Sequence, residues 1–310
     1  MKGIATFLIS LFLTATCYAE IKGNPEDVKT ETTPCLTLFG GGNVDEGFKW
    51  MIEKSGGGDF LVIGWNNNYN EKIYNLGKVN SVETIIVSSR KDANSPENIQ
   101  KIKNAEAIFI AGGNQSHYIE FWKNSKLLEA INEKVNKIPV GGLSAGMAIL
   151  GEYYYASTPD EHCLSSEDAL NDPFHEDLNK IGNNFLHIDL LKNTITDTHY
   201  SERDRQGRHV AFMSRLIEKN KVYGIGIDEF TAVCIDVEGK AKIVGEGCAF
   251  FLEAIKKPEQ CEKDKPLTWN HDGKAIRCCV ARPKTNFCIK TWSGGKQEYW
   301  CVVNGELKRH

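Results

Sequence analysis

The chain has 310 residues, of which 41% are apolar and 25% charged, with 28 Gly against 9 Pro. That excludes a collagen-like repeat, a low-complexity disordered chain and a coiled coil, and leaves room for one large domain or two smaller ones. A formal net charge of −4 gives no general attraction to nucleic acid or to an anionic membrane.

Residues 1–19 read as a secretory signal: Lys2 supplies the positive start, Ile4 to Leu13 an apolar core too short to span a bilayer, and Ala19 the last residue before cleavage. The expected product is secreted, extracellular or periplasmic, and free of the membrane once cleaved. The ten cysteines agree with an oxidising compartment. A retained anchor, or a lipidated Cys17, is the rival reading.

From Thr37 onward, near-continuous apolar runs alternate with helical patterns. LTLFGG precedes VDEGFKWMIEKS, DFLVIGW precedes NEKIYNLGKV, ETIIVSS precedes PENIQKIKN, AIFIAGG precedes a long amphipathic stretch, and IPVGGLSAG precedes MAILGEYYY. Strands of this kind are covered on both faces, so the pattern predicts an α/β fold with a mostly parallel sheet flanked by helices. Residues 155–182 are polar and acidic and read as an irregular insert. FLHIDLL, TITDTHY, VYGIGID, TAVCIDV and KAKIVGEGCAFFLEA complete a domain over residues 20–257, with Cys234 expected as a buried inert thiol.

The texture changes after Lys257, where short antiparallel strands are expected. Cys248, Cys261, Cys278, Cys279, Cys288 and Cys301 cluster here. The clustering predicts a small disulfide-stapled, β-rich unit over residues 258–310. Zinc is disfavoured because no C-x2-C pair occurs and His271 is the only nearby histidine before the terminus.

The chemistry centres on Gly142-Leu143-Ser144-Ala145-Gly146, a G-x-S-x-G turn between a buried strand and a helix. Such a turn lifts a serine out of the sheet and aims helix N–H groups at a developing oxyanion. The plain alternative is a tight junction with a surface serine. A serine hydroxyl needs a base. Among His117, His162, His175, His187, His199, His209, His271 and His310, His199 ranks first because it ends the strand-like ITDTH, where α/β sheets gather functional groups; a structural histidine is the alternative. Ala111-Gly112-Gly113-Asn114-Gln115 offers a second set of exposed N–H groups, and its Asn114 sequon is expected to be unused. Arg203, Arg205 and Arg208, just after His199, suit a carboxylate, which implies an acidic peptide or amide as substrate.

Together AIFIAGGNQ, GGLSAG, ITDTHYSERDRQGR and YGIGIDEFTAV, in that order, resemble the cyanophycinase and peptidase E family of serine peptidases, relatives of class I glutamine amidotransferases. The resemblance covers roughly Cys35 to Glu253, and SSEDALNDP with the C-terminal PLTW and FCIKTW is similar to a secreted, extended branch. It implies a flavodoxin-like or amidotransferase-like sheet, Ser144 as nucleophile, His199 as base, and Gly113 and Ala145 as oxyanion donors. Gln115, Asp197, Arg203, Arg205 and Arg208 are the implied pocket residues. The acidic partner of the base is expected in the loop after the nucleophile, at Glu167, with Asp160, Glu161 and Asp168 as competitors. The implied substrate is an acidic or β-aspartyl (isoaspartyl-type) peptide, cleaved through an acyl-enzyme without metal or organic cofactor, by an enzyme whose relatives are often homodimers. Thr198 stands where the family usually has Gln, a departure in the pocket that leaves open whether cyanophycin itself is the substrate. An esterase and a catalytically lapsed secreted binding protein are the competing functions.

Overall fold

Pattern and topology agree in the computed structural model, which describes residues 21–64, 69–157, 164–217 and 221–310. The expected signal segment, along with Asp160, Glu161, His162 and Cys163, lies outside the described residues. Five of the apolar runs form neighbouring parallel strands in the order Ser81–Ile86, Asp59–Gly64, Ala107–Ile110, Pro139–Leu143, Cys35–Phe39. Alternate side chains feed opposite faces. Leu36, Leu38, Leu61, Ile63, Ile108 and Ile110 meet the helices Pro96–Asn104, Gln115–Trp122 and Lys126–Lys134. Phe39, Phe60, Val62 and Phe109 meet the helix Asp45–Lys54.

A second sheet, not anticipated from the sequence, packs against the first. Its eight strands run in the order Glu306–Arg309, Gln297–Val303, Ile276–Ala281, Ala249–Ala254, Tyr223–Ile227, Thr194–Thr198, Tyr153–Tyr155, Ile181–Asn183. Ile225, Ile227, Ala249 and Phe251 share one core with Leu36, Leu38 and Val233 of the first sheet. The outer face of the second sheet is covered by the helices Ser166–Asn171 and Gln206–Leu216.

The expected break at residue 257 is not a break in the sheets. Ile276–Ala281 pairs with Ala249–Ala254, and Phe287–Cys288 pairs with Lys240–Gly245 of the first sheet. The expected disulfide stapling is corrected for Cys248, Cys278, Cys279, Cys288 and Cys301, which are free thiols, as are Cys35 and Cys234. The physical reason is alternation along one strand. Cys278 and Cys279 are consecutive, so their side chains leave on opposite faces, and each is buried in a different core. Trp269 and Trp300 fill one of those cores and Trp292 the other. Cys248, Cys278, Cys279 and Cys301, read as staples, are core packing residues. Burial pushes the Cys279 thiol up to about 11, and Cys35 and Cys234 to about 12, so these groups stay protonated.

Candidate active site

The strand Pro139–Leu143 ends at Ser144, whose backbone is forced to φ +51, ψ −117. L-residues avoid that region. Its N–H donates to the carbonyl of Phe39 at 3.0 Å, which pins the turn to the neighbouring strand. The flanking glycines are required by contact: a Cβ on Gly142 would lie 2.6 Å from the backbone of Gly146, and one on Gly146 would lie 2.1 Å from the Ile110 carbonyl oxygen.

His199 arrives from the other sheet, directly after Thr194–Thr198. It too has positive φ, +46, and its N–H donates to Gly40 at 3.0 Å. The two sheets thereby bring residues 55 apart in the chain together: Ser144 Oγ lies 2.6 Å from His199 Nε2.

On the far side of the ring, His199 Nδ1 lies 2.5 Å from Glu229 Oε1. This corrects the assignment of the acid to Glu167. Glu229 follows the strand Tyr223–Ile227 of the second sheet, where the chain crosses to Thr231–Ile235 of the first. Glu167 is an exposed residue in the first turn of Ser166–Asn171. The neighbouring hydroxyl explains why that segment lies near the site: Ser166 Oγ accepts from the N–H groups of Gly207 and Arg208 at 3.0 and 3.2 Å, capping the helix that carries Arg208. The competitor Asp168 is taken up with Ser165 at the surface, 2.7 Å away.

A carboxylate only accepts hydrogen bonds, so Glu229 fixes the proton on Nδ1 and leaves Nε2 to accept from the Ser144 hydroxyl. Burial lowers the imidazole below the ordinary histidine value. The Glu229 hydrogen bond opposes that shift, and the positive charges of Arg203 and Arg205 reinforce it. The ring is therefore neutral near pH 7, as a base must be.

Beside the serine stands Gly112, where a Cβ would lie 3.5 Å from Ser144 Cβ, in ordinary contact, and 3.0 Å from Leu143 Cδ2. The carbonyls of Ala111 and Gly112 accept from the buried Tyr118 hydroxyl at 2.8 and 3.1 Å. A trans peptide points its N–H opposite its C=O, so the Gly113 N–H is turned away from Tyr118. Gly113 has φ +144. Ala145 opens the short helix Ala145–Ala148 that follows the serine, and the first N–H groups of a helix have no intrahelical acceptor.

The other expected pocket residues divide. Asp197 and Arg208 are buried and paired bidentately, Nε to Oδ2 at 2.9 Å and Nη2 to Oδ1 at 2.6 Å. Arg205 is also buried and donates to the Thr198 carbonyl at 2.8 Å. Burial alone would raise the Asp197 carboxyl, but Arg208 and Arg205 outweigh it and hold it at about 2. These three groups brace the end of the histidine strand. Gln115 lies half-buried at the start of its helix, with Nε2 donating to Tyr155 O at 3.4 Å. Arg203 is the exposed guanidinium.

Two features escaped sequence reading. One is Glu229, although the rule that favoured His199, a polar group at a strand's carboxyl end, applies to it equally. The other is Gly40-Gly41-Gly42 at the end of Cys35–Phe39. Gly40 N–H donates to Thr231 and Phe230 N–H to Gly41, at 3.0 and 2.6 Å, so this turn ties Cys35–Phe39, the neighbour of the serine strand, to the Glu229 crossover.

Peptidase family S51 matches residues 62–244, a stretch that contains Ser144, His199 and Glu229. The chain belongs to that family. Among curated relatives of this S51 chain, a cyanophycinase of Synechococcus elongatus is 26% identical over 187 residues, covering 60% of this chain and 53% of the relative. A cyanophycinase of Trichormus variabilis is 22% identical over 179 residues, covering 56% and 53%. The match thus spans about half the length of these relatives. A solved peptidase from an acI-B1 Actinobacterium shares the fold, with TM-score 0.54 and 19% identity over 75% of this chain and 98% of that one.

Proposed function

We propose that this S51 chain is a serine-type peptidase that cleaves amide bonds of acidic or β-aspartyl peptides through an acyl-enzyme on Ser144. The observation that carries the reading is the relay of Ser144 Oγ, the His199 imidazole and Glu229 Oε1, at 2.6 and 2.5 Å. His199 Nε2 takes the hydroxyl proton as Oγ attacks the carbonyl carbon, and Glu229 holds the ring and stabilises the imidazolium. The N–H groups of Gly113 and Ala145 receive the oxyanion. Collapse breaks the C–N bond, with the imidazolium proton passing to the leaving nitrogen. Water then adds through the same base and frees the acid, so peptide and water are the only reactants. The chain order is Ser, His, Glu.

Arg203 supports the acidic substrate class. It is exposed, and it acts electrostatically on the imidazole. A substrate carboxylate would meet a planar cation there. The short apolar start at residues 4–13 supports export of the protein.

The test is hydrolysis of β-aspartyl against α-aspartyl dipeptides by wild type and Ser144→Ala. Turnover of the β-linked set, abolished in the variant, is expected. Equal turnover by the two proteins refutes the reading.

A further inference from the structure

Glu229 is followed by the most exposed large apolar side chain among the described residues, Phe230, at 52% exposure. Its backbone is also unusual, at φ +52, a region that a bulky residue rarely adopts. Two hydrogen bonds hold it there: Phe230 N–H donates to Gly41 O at 2.6 Å, and its carbonyl accepts from Glu246 N–H at 3.0 Å. The ring rests on Gly42, where a Cβ would come 2.6 Å from it. An aromatic face is thus fixed in the open. The preceding residue, Gly41, faces the His199 ring. With consecutive Cα atoms 3.8 Å apart, the phenyl ring and the imidazole lie within about 12 Å of each other.

The direction of proton transfer decides which part of a substrate this face meets. The leaving nitrogen takes its proton from His199, so the leaving group must lie on the imidazole side of Ser144. Gly41 stands against the Cε1–Nδ1 edge of that imidazole and Phe230 on Gly42 next to it, whereas Gly112 stands against the serine itself. We infer that Phe230 is the platform for the residue on the leaving-group side of the scissile bond and selects an apolar or aromatic side chain there. The inference rests on the peptidase reading and adds a specificity to it.

Acyl transfer tests it without knowledge of the acyl-side preference. Ser144 is acetylated from p-nitrophenyl acetate, and the acetyl-enzyme is partitioned between water and an added amine, phenylalaninamide or glycinamide. On capture, the ester C–O bond to Ser144 breaks and an amide C–N bond forms. The amine proton passes to His199 and on to Ser144 Oγ. The readout is the ratio of N-acetyl amide to acetate by mass spectrometry. Wild type should capture phenylalaninamide at least ten-fold better than glycinamide. Phe230→Asn, which suits the left-handed backbone and removes the ring, should bring that preference below three-fold, and Phe230→Tyr should keep it. An unchanged preference in Phe230→Asn, or wild type capturing both amides equally or neither, overturns the inference while the peptidase reading stands. p-Nitrophenol release that is the same in Ser144→Ala as in wild type would instead remove the nucleophile and both readings with it.

Discussion

Gly41 lies flat against the imidazole of His199, with room for a hydrogen and no more: a Cβ there would come 2.5 Å from Cε1 and 2.6 Å from Nδ1, and 3.1 Å from Glu229 Cγ. One missing methyl group therefore lets the base sit between its two partners. Gly41→Ala has to displace the ring or the carboxylate, because Gly40 and Phe230 hold the turn's backbone through hydrogen bonds. A displacement near 1 Å costs on the order of 10²-fold in rate. The expected result is a fall of about that size in kcat/KM with little change in Tm, checked by steady-state kinetics and thermal melting. Wild-type kcat/KM in the variant would show that the ring does not depend on this contact.

Glu229 and Glu167 can be separated by the same assay. Glu229→Gln keeps the shape but no longer favours the Nδ1–H tautomer or the imidazolium. Loss of such a carboxylate costs on the order of 10⁴-fold in kcat. Glu167→Gln, at the exposed start of its helix, should leave kcat within about two-fold. The reverse ranking would restore the acid to the loop after the nucleophile.

Much of this arrangement was legible in the sequence because it is local. Ser144 is signalled by its two glycines and the apolar strand before it, and His199 by its place at a strand end. The pairing of His199 with Glu229 is not local. It depends on a second sheet packing on the first, and on the crossover from Tyr223–Ile227 to Thr231–Ile235 passing over the imidazole. The cysteines misled for a related reason. Spacing counts them but does not say that Cys278 and Cys279 face two different cores, and only the strand pairings reveal that.

Those thiols make a direct prediction. Cys278 and Cys279 are buried and unlinked, each in its own core. Alkylation followed by mass spectrometry should label both only after denaturation. A disulfide at either position, or labelling of either thiol in the native protein, would contradict the packing described.

The pH dependence of kcat/KM follows from the sign of each influence on His199. The base works neutral, so activity falls as pH drops through its pKa, and burial places that limb below the ordinary histidine value of 6.5. Arg203 pushes the pKa down, so Arg203→Gln should move the acid limb to higher pH. Glu229 pulls it up, so the residual activity of Glu229→Gln should have its limb at lower pH. Limbs that do not move, or move the other way, would show that another group controls the profile.

Acid stability should be limited by a different histidine. His209 is fully buried in the helix after the arginine turn, 3.0 Å from the Tyr200 hydroxyl and 3.2 Å from the Ile195 carbonyl. Burial lowers its pKa from 6.5 to about 4. The unfolded chain therefore binds a proton that the folded chain refuses between those values. Stability is full above pH 6.5 and declines as pH falls toward 4, by about 3 kcal/mol in total at about 1.4 kcal/mol per unit. Asp197 acts lower down. Its carboxyl, held at about 2 against an ordinary 3.8, loses its contribution only as pH falls below about 4. Urea midpoints measured from pH 7.5 to 3 should show a first decline that His209→Gln flattens and a second, below pH 4, that it leaves in place. A variant with the wild-type slope between pH 6.5 and 4 would assign that proton to another group.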